Sequence, residues 1–449
     1  MMVNKSLRTI GTNYRKNCMV SEDAVPIHSK MQNSALRDVC YLVTDGTHDT
    51  PKTLKNGVPL IKAKEIVGGI IDFENCEYIS YEDHLKVIAR SNPEKGDILF
   101  AHIGASLGET AFIKTNKEFS IKNVALFKPN PSKIDNRYLF YYVISSKFQN
   151  EIKNCRTGSA QPFVSLDFLR NHPIKYHTNL ETQHKIAAIL SAYDDLIENN
   201  TRRIKILEEM VQTLYREWFV KFRFPGHERV KMVESELGMV PEGWEVNKVK
   251  ETFEILGGGT PSKKVDEYWE NGEIVWYTPS DLTSSNTMFM EQSSNKITEL
   301  GLKKSSAKLF PPYSIMMTSR ATLGIVAINT TPACTNQGFI TCLPNERVPI
   351  YYIYYWLLEN TSTFLNMASG ATFKEISKTV FKTIDIILPS QNIRDDFQRI
   401  VEPLVDKILN LQRKNTNLRR TRNLLLPKLI SGKVDVENID VQMPNNGGA

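Results

Sequence analysis

Phe310-Pro311-Pro312-Tyr313 is the stretch of the 449-residue chain that comes nearest to a catalytic motif. Its spacing matches the Pro-Pro-aromatic loop with which adenine-N6 methyltransferases hold their target base. That reaction requires Asn, Asp or Ser before the prolines, because a side-chain oxygen must accept a hydrogen of the amino group. Phenylalanine has no acceptor. A turn before a strand at 315–318 explains the two prolines better than catalysis does.

Other motifs that could support catalysis are also incomplete. The segment Gly257–Ser262 is rich in glycine but lacks the spacing of a phosphate-binding loop. Glu245 and Lys248 have the wrong spacing for a nuclease site. The histidines show no HxxxH pair, so we expect no metal site, no cofactor and no catalytic residues. The histidines considered are His48, His84, His102, His172, His177, His184 and His227.

The cysteines are scattered along the sequence without a CxxC pair. This pattern argues against a zinc site and favours reduced thiols in a cytoplasmic protein. We find neither a secretory signal nor an apolar run long enough to span a membrane. The cysteines are Cys18, Cys40, Cys76, Cys155, Cys334 and Cys342.

Basic and amide side chains in the loops offer a different chemistry, the recognition of DNA. Lys and Arg neutralise phosphates, and Arg, Asn, Gln, Lys, Ser and Thr reach base edges. The net charge of +6 permits a polyanionic partner but does not require one. For each single candidate, exposed polar surface without a DNA contact is the alternative. The candidates are Thr47, His48, Lys52, Lys62, Lys64, Lys122, Asn123, Ser159 and Gln161 in the first half of the chain, and Thr260, Ser262, Lys263, Lys264, Arg320, Asn336, Gln337, Thr372 and Lys374 in the second.

These candidates fall on an internal repeat in which the two halves correspond with a shift of about 213 residues. Short β-branched runs such as 97–100 and 324–328 indicate strands, and 138–148 and 351–364 indicate amphipathic helices. Each half is therefore expected to be an α/β or α+β globular domain. Matching segments are Asp45–Thr47 with Gly258–Thr260, Ala105–Gly108 with Ala321–Gly324, and Tyr138–Tyr142 with Tyr351–Tyr355.

A long helix with heptad spacing follows each globular domain. The apolar positions alternate in steps of 4 and 3, which predicts a coiled-coil seam. About forty residues make a helix on the order of 60 Å long. The seam positions are Ile186, Leu190, Tyr193, Ile197, Asn200, Ile204, Leu207, Val211, Leu214 and Trp218 in the first helix, and Val401, Leu404, Ile408, Leu411, Asn415, Leu418, Leu425 and Leu429 in the second.

We expect the two helices to pair as an antiparallel coiled coil, so that the tandem repeats have pseudo-two-fold symmetry. Each seam contains one asparagine, and a single buried amide can fix the register and partner number of a coiled coil. Arg422 also falls on a seam position and weakens that stretch as an apolar seam. Apolar residues beside the seam are candidates for a partner surface. They are Met210, Phe219, Leu424 and Leu426.

The sequence predicts seven segments. They are an N-terminal lead-in (1–34), a first recognition domain (35–178), a first spacer helix (179–225), a linker (226–242), a second recognition domain (243–389), a second spacer helix (390–431) and a polar C-terminal tail (432–449).

Two stretches resemble a known family, the specificity subunits of type I restriction–modification systems. Leu214–Glu228 is similar to the family's exit from the first spacer helix, and Glu236–Glu245 is similar to the start of its second recognition domain. The resemblance covers nearly the whole chain, but the lead-in is longer than the family often has. It implies a phage-defence subunit that binds double-stranded DNA and performs no chemistry. It also implies partners, namely two modification (methyltransferase) subunits and restriction (translocase–nuclease) subunits.

Two unlike domains on a rigid spacer suit a duplex site that is split and asymmetric, because grooves one turn apart present the same face. Two alternatives remain open. A dimerising scaffold without a DNA role would give no retarded band in a gel shift with a random duplex library. The targeting chain of a fused restriction–methylation enzyme would differ only in its partners.

Overall fold

The computed structural model describes residues 31–156, 162–370 and 374–441. The chain divides into two compact units. Unit 1 comprises Met1–Leu196 together with Leu418–Ala449, and unit 2 comprises Ile197–Asn417. The division falls inside both long helices, so each unit contains a part of each helix.

The first described element of unit 1 is a strand. Its residues 31–34 fall in the segment that the sequence assigns to the polar lead-in, and they pair with the strand before the first long helix. Its strands are β1 (Met31–Ala35), β2 (Cys40–Asp45), β3 (Val58–Ile61), β4 (Ile66–Val67), β5 (Ile70–Ile71), β6 (Glu77–Ile79), β7 (Ile98–Phe100), β8 (Thr110–Phe112), β9 (Ser120–Ile121), β10 (Ala125–Pro129) and β11 (Pro173–His177). Its helices are α1 (Leu36–Val39), α2 (Tyr81–Ile88), α3 (Asn136–Ile144), α4 (Ser146–Asn154), α5 (Leu166–Asn171) and the start of α6 (Leu180–Tyr215).

The core of unit 1 lies between an antiparallel sheet of order β2-β10-β7-β8 and helices α3 and α4. Phe100 stacks on Phe127 at 5.7 Å and meets Phe148 of α4 edge-on at 6.0 Å. The sheet of order β6-β3-β9 joins β3 and β9 in parallel. The fold class is therefore mixed α and β, as predicted.

Ser145 separates two helices where the sequence suggests one amphipathic helix over 138–148. Its backbone is extended, it ends α3, and its side chain accepts a hydrogen bond from Phe148 N as the N-cap of α4. A serine oxygen satisfies a backbone N–H at a helix start, which favours a new helix over continuation of the old one.

Unit 2 contains the second repeat and the rest of both long helices. Its strands are β12 (Met232–Ser235), β13 (Gly238–Pro241), β14 (Glu245–Lys248), β15 (Glu254–Gly257), β16 (Ile274–Tyr277), β17 (Phe289–Met290), β18 (Asn295–Ile297), β19 (Ile315–Thr318), β20 (Val326–Asn329), β21 (Ala333–Thr335), β22 (Phe339–Leu343) and β23 (Asp385–Leu388). Its helices are α7 (Val249–Thr252), α8 (Pro279–Ser285), α9 (Glu299–Lys303), α10 (Ile350–Glu359), α11 (Thr361–Met367), α12 (Lys378–Lys382) and most of α13 (Gln391–Ile430).

Unit 2 repeats the topology of unit 1, and the predicted duplication is confirmed. The order β15-β22-β19-β20 matches β2-β10-β7-β8, and the order β18-β16-β21 matches β6-β3-β9, including the parallel pair. The pair β14–β23 matches β1–β11, and unit 2 adds β17 at the edge of its larger sheet. Helix α10 is buried on nearly every side, whereas the sequence suggests an amphipathic helix there.

A glycine follows the first strand of the larger sheet in each unit for the same steric reason. A Cβ on Gly46 would lie 2.0 Å from the carbonyl oxygen of Ile121, and one on Gly258 would lie 2.0 Å from that of Asn336. Only a residue without a side chain allows the two backbone segments to approach so closely.

Within unit 2 the two long helices run antiparallel. Asn200 contacts Asn415, and further along α6 Tyr215 meets Phe397, which lies nearer the start of α13. Every seam position named from the sequence is buried or half-buried. The antiparallel coiled coil expected from the heptads is confirmed.

The first long helix changes geometry at its end. The sequence predicts a first spacer helix to residue 225, but the α-helix ends at Tyr215 and a single π turn follows over Arg216–Val220. The wider turn places Trp218 and Phe219 in the aromatic core of unit 2. Phe219 is therefore buried, and its assignment to an exposed partner surface is wrong.

In unit 1 the start of α6 packs against the end of α13. Ile186 and Leu190 share a buried cluster with Leu426 and Leu429. Leu426 is only 6% exposed, so it too is wrongly assigned to a partner surface, whereas Leu424 is 59% exposed.

The seam residue Arg422 pairs with Asp194, which explains how a charge occupies this position. Asp194 also accepts a hydrogen bond from the Tyr141 hydroxyl at 2.6 Å. A charged seam residue is tolerated here because it has both an ion-pair partner and an anchored carboxylate.

Candidate nucleic-acid interface

In unit 1 the loop after β2 is fixed to the turn between β9 and β10. Thr47 N donates to Ile121 O at 3.1 Å, and Asn123 N donates to Thr47 O at 3.2 Å. Asn123 has a positive φ of 53°, a conformation that asparagine tolerates better than most residues. The two backbone bonds bring four sequence candidates together, namely Thr47, His48, Lys122 and Asn123.

His48 lies at the centre of this loop surface. Its Nδ1 is 2.9 Å from Asn123 Oδ1, and its Nε2 is 2.9 Å from Asp45 Oδ2. The Lys122 ammonium donates to the Thr50 hydroxyl. These contacts order the side chains at the edge of the sheet, so little conformational entropy remains to be lost on binding.

An ion pair with one buried member lies beneath this loop, and the sequence does not mark it. Asp45, whose side chain is 2% exposed, pairs with the guanidinium of Arg90, which is 52% exposed. His102 Nε2 lies 3.9 Å from the same carboxylate, and burial lowers the pKa of His102 and favours its neutral form. The two residues of the pair are 45 positions apart in sequence, and no local pattern marks their contact.

The other lysine candidates of unit 1 differ in their surroundings. Lys62 forms a 2.6 Å ion pair with Glu77, and its hydrogen bond lowers the pKa of that carboxyl group. Lys64 lies 3.3 Å from Glu65, and Lys52 is exposed. Ser159 and Gln161 lie outside the described residues.

In unit 2 four candidates line one cleft of about 530 Å³. They are Thr260, Lys263, Asn336 and Gln337, and the cleft is completed by Asp266, Trp269, Trp276, Thr278 and Asn295. The amides and the lysine are the side chains that base edges and phosphates require.

Two tryptophans hold the loop that forms one wall of this cleft. Trp276 Nε1 donates to Gly259 O at 2.9 Å, and Trp269 Nε1 donates to Ser262 O at 3.0 Å. Across the cleft, Thr260 Oγ1 donates to Gln337 Oε1 at 2.7 Å. The tryptophans therefore position the loop that carries Lys263.

Further candidates of unit 2 lie beside the strand-end loop. Ser319 N donates to Gly338 O at 2.9 Å, which places Arg320 next to the turn that follows Gln337. Arg320 lies 3.8 Å from Glu375, and Ala321 N donates to the carbonyl oxygen of Lys374. Ser262, Lys264 and Lys374 are exposed, and Thr372 lies outside the described residues.

A model of one family, the type I restriction modification DNA specificity domain, matches residues 28–209 and 241–420. The two matches cover most of the chain and coincide with the structural repeat.

This chain belongs to the type I specificity subunits.

Relatives of known name support this assignment. The HindI specificity subunit of Haemophilus influenzae is 25% identical over 423 residues, which cover 81% of this chain and 91% of that protein. The MjaIX specificity subunit of Methanocaldococcus jannaschii is 35% identical over 205 residues, but that match covers only 45% of this chain and 46% of the relative. Both are named as specificity subunits of type I restriction enzymes.

A solved structure shares the fold of the specificity subunit. The type I restriction–modification S subunit from M. genitalium superposes with a TM-score of 0.55 at 16% identity, covering 92% of this chain and 99% of that one. At this identity the likeness concerns the fold alone.

As a specificity subunit the chain is a non-catalytic component of a restriction–modification enzyme. Phe310 of the methyltransferase-like motif is 2% exposed, and its N–H donates to Ala333 O at 2.9 Å. The motif is a turn that leads into β19. Among the described residues, no group of His, Cys, Asp and Glu is placed to hold a metal ion. No helix in the described part of the chain is both long and apolar enough to cross a membrane.

Proposed function

We propose that this specificity subunit reads a split, asymmetric duplex, with unit 1 contacting one half-site and unit 2 the other. One observation carries the proposal. The two units share a topology, but different side chains occupy the matching loops. Unit 1 presents His48 and Asn123, and unit 2 presents Thr260 and Gln337.

Each half-site is proposed to be bound through two kinds of contact, to phosphates and to base edges. The lysines of the loops, such as Lys122 and Lys263, neutralise phosphates and fix the orientation of the duplex. The amides of Asn123, Asn336 and Gln337 read base edges, because an amide can pair with adenine N6 and N7. Unlike loops on a shared scaffold make the two half-sites differ in sequence.

The paired helices are proposed to set the unread gap between the half-sites and to anchor two modification subunits, which in turn recruit restriction subunits. Met210, on the part of α6 in unit 2, is 52% exposed, and Leu424, on the part of α13 in unit 1, is 59% exposed. Exposed apolar side chains on a helix provide the contacts that a helical partner needs.

The decisive experiment exchanges residues 244–389 for the matching domain of another specificity subunit. Co-expression with the modification subunits, followed by mapping of methylated adenines, should show one changed half-site and one unchanged half-site. If both half-sites change, or if methylation does not follow the exchanged domain, the assignment of one half-site to each unit is wrong.

A further inference from the structure

Asp45 and Arg90 form an ion pair that reaches from the buried end of β2 to the surface of unit 1. Asp45 Oδ1 accepts from the guanidinium of Arg90, and Oδ2 lies 2.9 Å from His48 Nε2. The carboxylate is buried, whereas the side chains of Arg90 and His48 are 52% and 53% exposed. A buried anion therefore holds two half-exposed side chains at the surface.

Arg90 has donors left over after it binds Asp45. A guanidinium carries five N–H groups in a planar fork, and the recorded bond to Asp45 uses one from Nη2. Among the described residues, Asp45 is the only side chain that pairs with the Arg90 guanidinium. The remaining N–H groups form a flat edge that matches the O6 and N7 acceptors of guanine in the major groove.

We propose that Arg90 is a specificity-determining residue of unit 1 that reads a guanine, and that Asp45 is the positioning residue that orients its guanidinium. The inference rests on the proposed DNA-reading function and extends it to one base. Arg90 shares Asp45 with His48, a member of the loop surface that carries Thr47, Lys122 and Asn123.

Among the residues of unit 2 that the structure describes, no equivalent of this pair occurs, so the guanine contact is assigned to the unit 1 half-site. In the strand registers Asp45 lies opposite Ala125 at the end of β2, and Gly257 lies opposite Ile340 at the end of β15. Gly257, and not the neighbouring Gly258 that the sequence repeat aligns with Asp45, therefore holds the matching position. A Cβ on Gly257 would lie 2.2 Å from Lys378 Nζ, so a lysine side chain occupies the space beside it.

The segment after α9, which matches α2 in topology, also differs between the units. There Ser306 Oγ would lie 2.2 Å from a Cβ on Gly259. A serine thus packs on the loop where unit 1 extends an arginine. Two half-sites of different sequence require two units that present different side chains. The serine of unit 2 and the arginine of unit 1 differ in this way.

Three variants of the full chain, each assembled with its modification subunits, test the proposal by selection from a random duplex library. Arg90→Lys keeps the positive charge but loses the planar fork of N–H groups. Asp45→Asn keeps the shape of the side chain at position 45 but loses the negative charge that orients the Arg90 guanidinium. Arg37→Lys is the matched control, because Arg37 is 60% exposed and lies 3.8 Å from Asp38. Thermal unfolding midpoints verify that each variant is folded.

We expect Arg90→Lys to lower the preference for guanine at one position of one half-site by roughly ten- to hundred-fold. The other half-site and the affinity for non-specific DNA should be unchanged, because the charge is retained. Asp45→Asn should lower the preference for guanine at the same position to a smaller extent, because an arginine that is held less firmly still reaches the base. Arg37→Lys should select the wild-type sequence.

Other results would overturn the proposal. An equal loss at every position, with a smaller salt dependence, would make Arg90 a phosphate contact. Wild-type selection by folded Arg90→Lys would make the ion pair purely structural. A change in stability without a change in base preference would remove the positioning role of Asp45. A wild-type chain that selects no two-part sequence would overturn the proposed function itself, independently of the variants.

Discussion

Asn200 Nδ2 donates a hydrogen bond to Asn415 Oδ1 at 2.9 Å inside the helix pair of unit 2. Asn415 Nδ2 in turn lies 3.2 Å from Thr201 Oγ1 and 3.4 Å from Ile197 O. Both asparagines are buried, and the other seam positions within unit 2 are apolar. The amide pair satisfies its polar groups only when the two helices keep this register, because a shift by one heptad would separate the partners.

Variants that replace one or both of these asparagines distinguish their effect on stability from their effect on helix register. Asn200→Leu alone should destabilise unit 2 by about 1–3 kcal/mol, because Asn415 Oδ1 loses its donor while it stays buried. The double variant Asn200→Leu/Asn415→Leu should unfold at a higher temperature than the single variant but lose the preference for one helix register. Thermal unfolding and light scattering measure the two effects, and a double variant less stable than the single one would contradict the argument.

Phe397 should be among the most costly residues of unit 2 to remove. It is 1% exposed and meets the rings of Tyr215, Trp218 and Phe219 at 4.9–6.0 Å. Phe397→Ala should lower stability by about 3–5 kcal/mol, because the lost burial leaves a cavity. Urea denaturation measures the loss. Ile400→Ala on the same helix is the control, since Ile400 is 43% exposed and its removal should cost far less.

Glu208 gives the stability of unit 2 a dependence on pH. Burial raises its pKa from the ordinary 4.5 to about 7, and the neighbouring Glu209 carboxylate adds to the rise. Below about pH 4.5 Glu208 is protonated in both the folded and the unfolded chain, so its ionisation does not change the free energy of unfolding. As the pH rises from about 4.5 to about 7, Glu208 ionises more readily in the unfolded chain than in the folded one, and the fold is progressively destabilised.

Glu208→Gln should therefore raise the free energy of unfolding above pH 7 by on the order of 3 kcal/mol at most, and change it little at pH 4.5. Denaturant titrations at the two pH values measure the difference. Glu234→Gln, on the exposed strand β12, is the control and should behave alike at both. An equal gain for Glu208→Gln at both pH values would show that packing, and not ionisation, is responsible.

The long helices and the duplication could be predicted from sequence because both are recorded as spacing along the chain. The heptad positions and the 213-residue shift need no knowledge of tertiary contacts. The pair Asp45 and Arg90, and the bond from Trp276 to Gly259 O, could not be predicted, because they depend on how distant segments fold together. The expectation of an exposed Phe219 and Leu426 is wrong because a heptad pattern treats the two helices as isolated, whereas each helix also packs on its unit.

Reversing the charge of two lysines tests whether the cleft of unit 2 faces DNA. Lys263 lines the cleft and Lys264 follows it on the exposed loop. Lys263→Glu/Lys264→Glu should weaken binding and reduce the slope of log K against log[salt] by up to about 2, since each lost phosphate contact removes about 0.9. Titrations at two salt concentrations measure this slope.

The matched control for this pair is Lys250→Glu/Lys382→Glu, which reverses two exposed lysines on α7 and α12 of the same unit. This control should alter the net charge equally but leave the slope close to that of the wild type. An unchanged slope for the Lys263 and Lys264 variant would remove both residues from the interface.

A paired deletion tests whether helix length sets the gap between the half-sites. Removing seven residues shortens a helix by about 10 Å, close to three base pairs at 3.4 Å each. Residues 193–199 and 416–422 are suitable, because one segment precedes Asn200 and the other follows Asn415 in an antiparallel pair, and both contain few buried side chains. The deletion also removes Asp194 and Arg422 together, so it leaves neither charge unpaired by the loss of the other.

Because seven residues are nearly two whole turns, the seam continues in phase across each junction, and both recognition domains keep their sequence. The methylated site should therefore retain both half-sites with a gap about three base pairs shorter, or methylation should cease if the partners no longer fit. Deleting the segment from one helix only is the control, because it breaks the seam register and should abolish specific methylation. Unchanged half-sites at an unchanged gap would show that something other than these helices measures the distance.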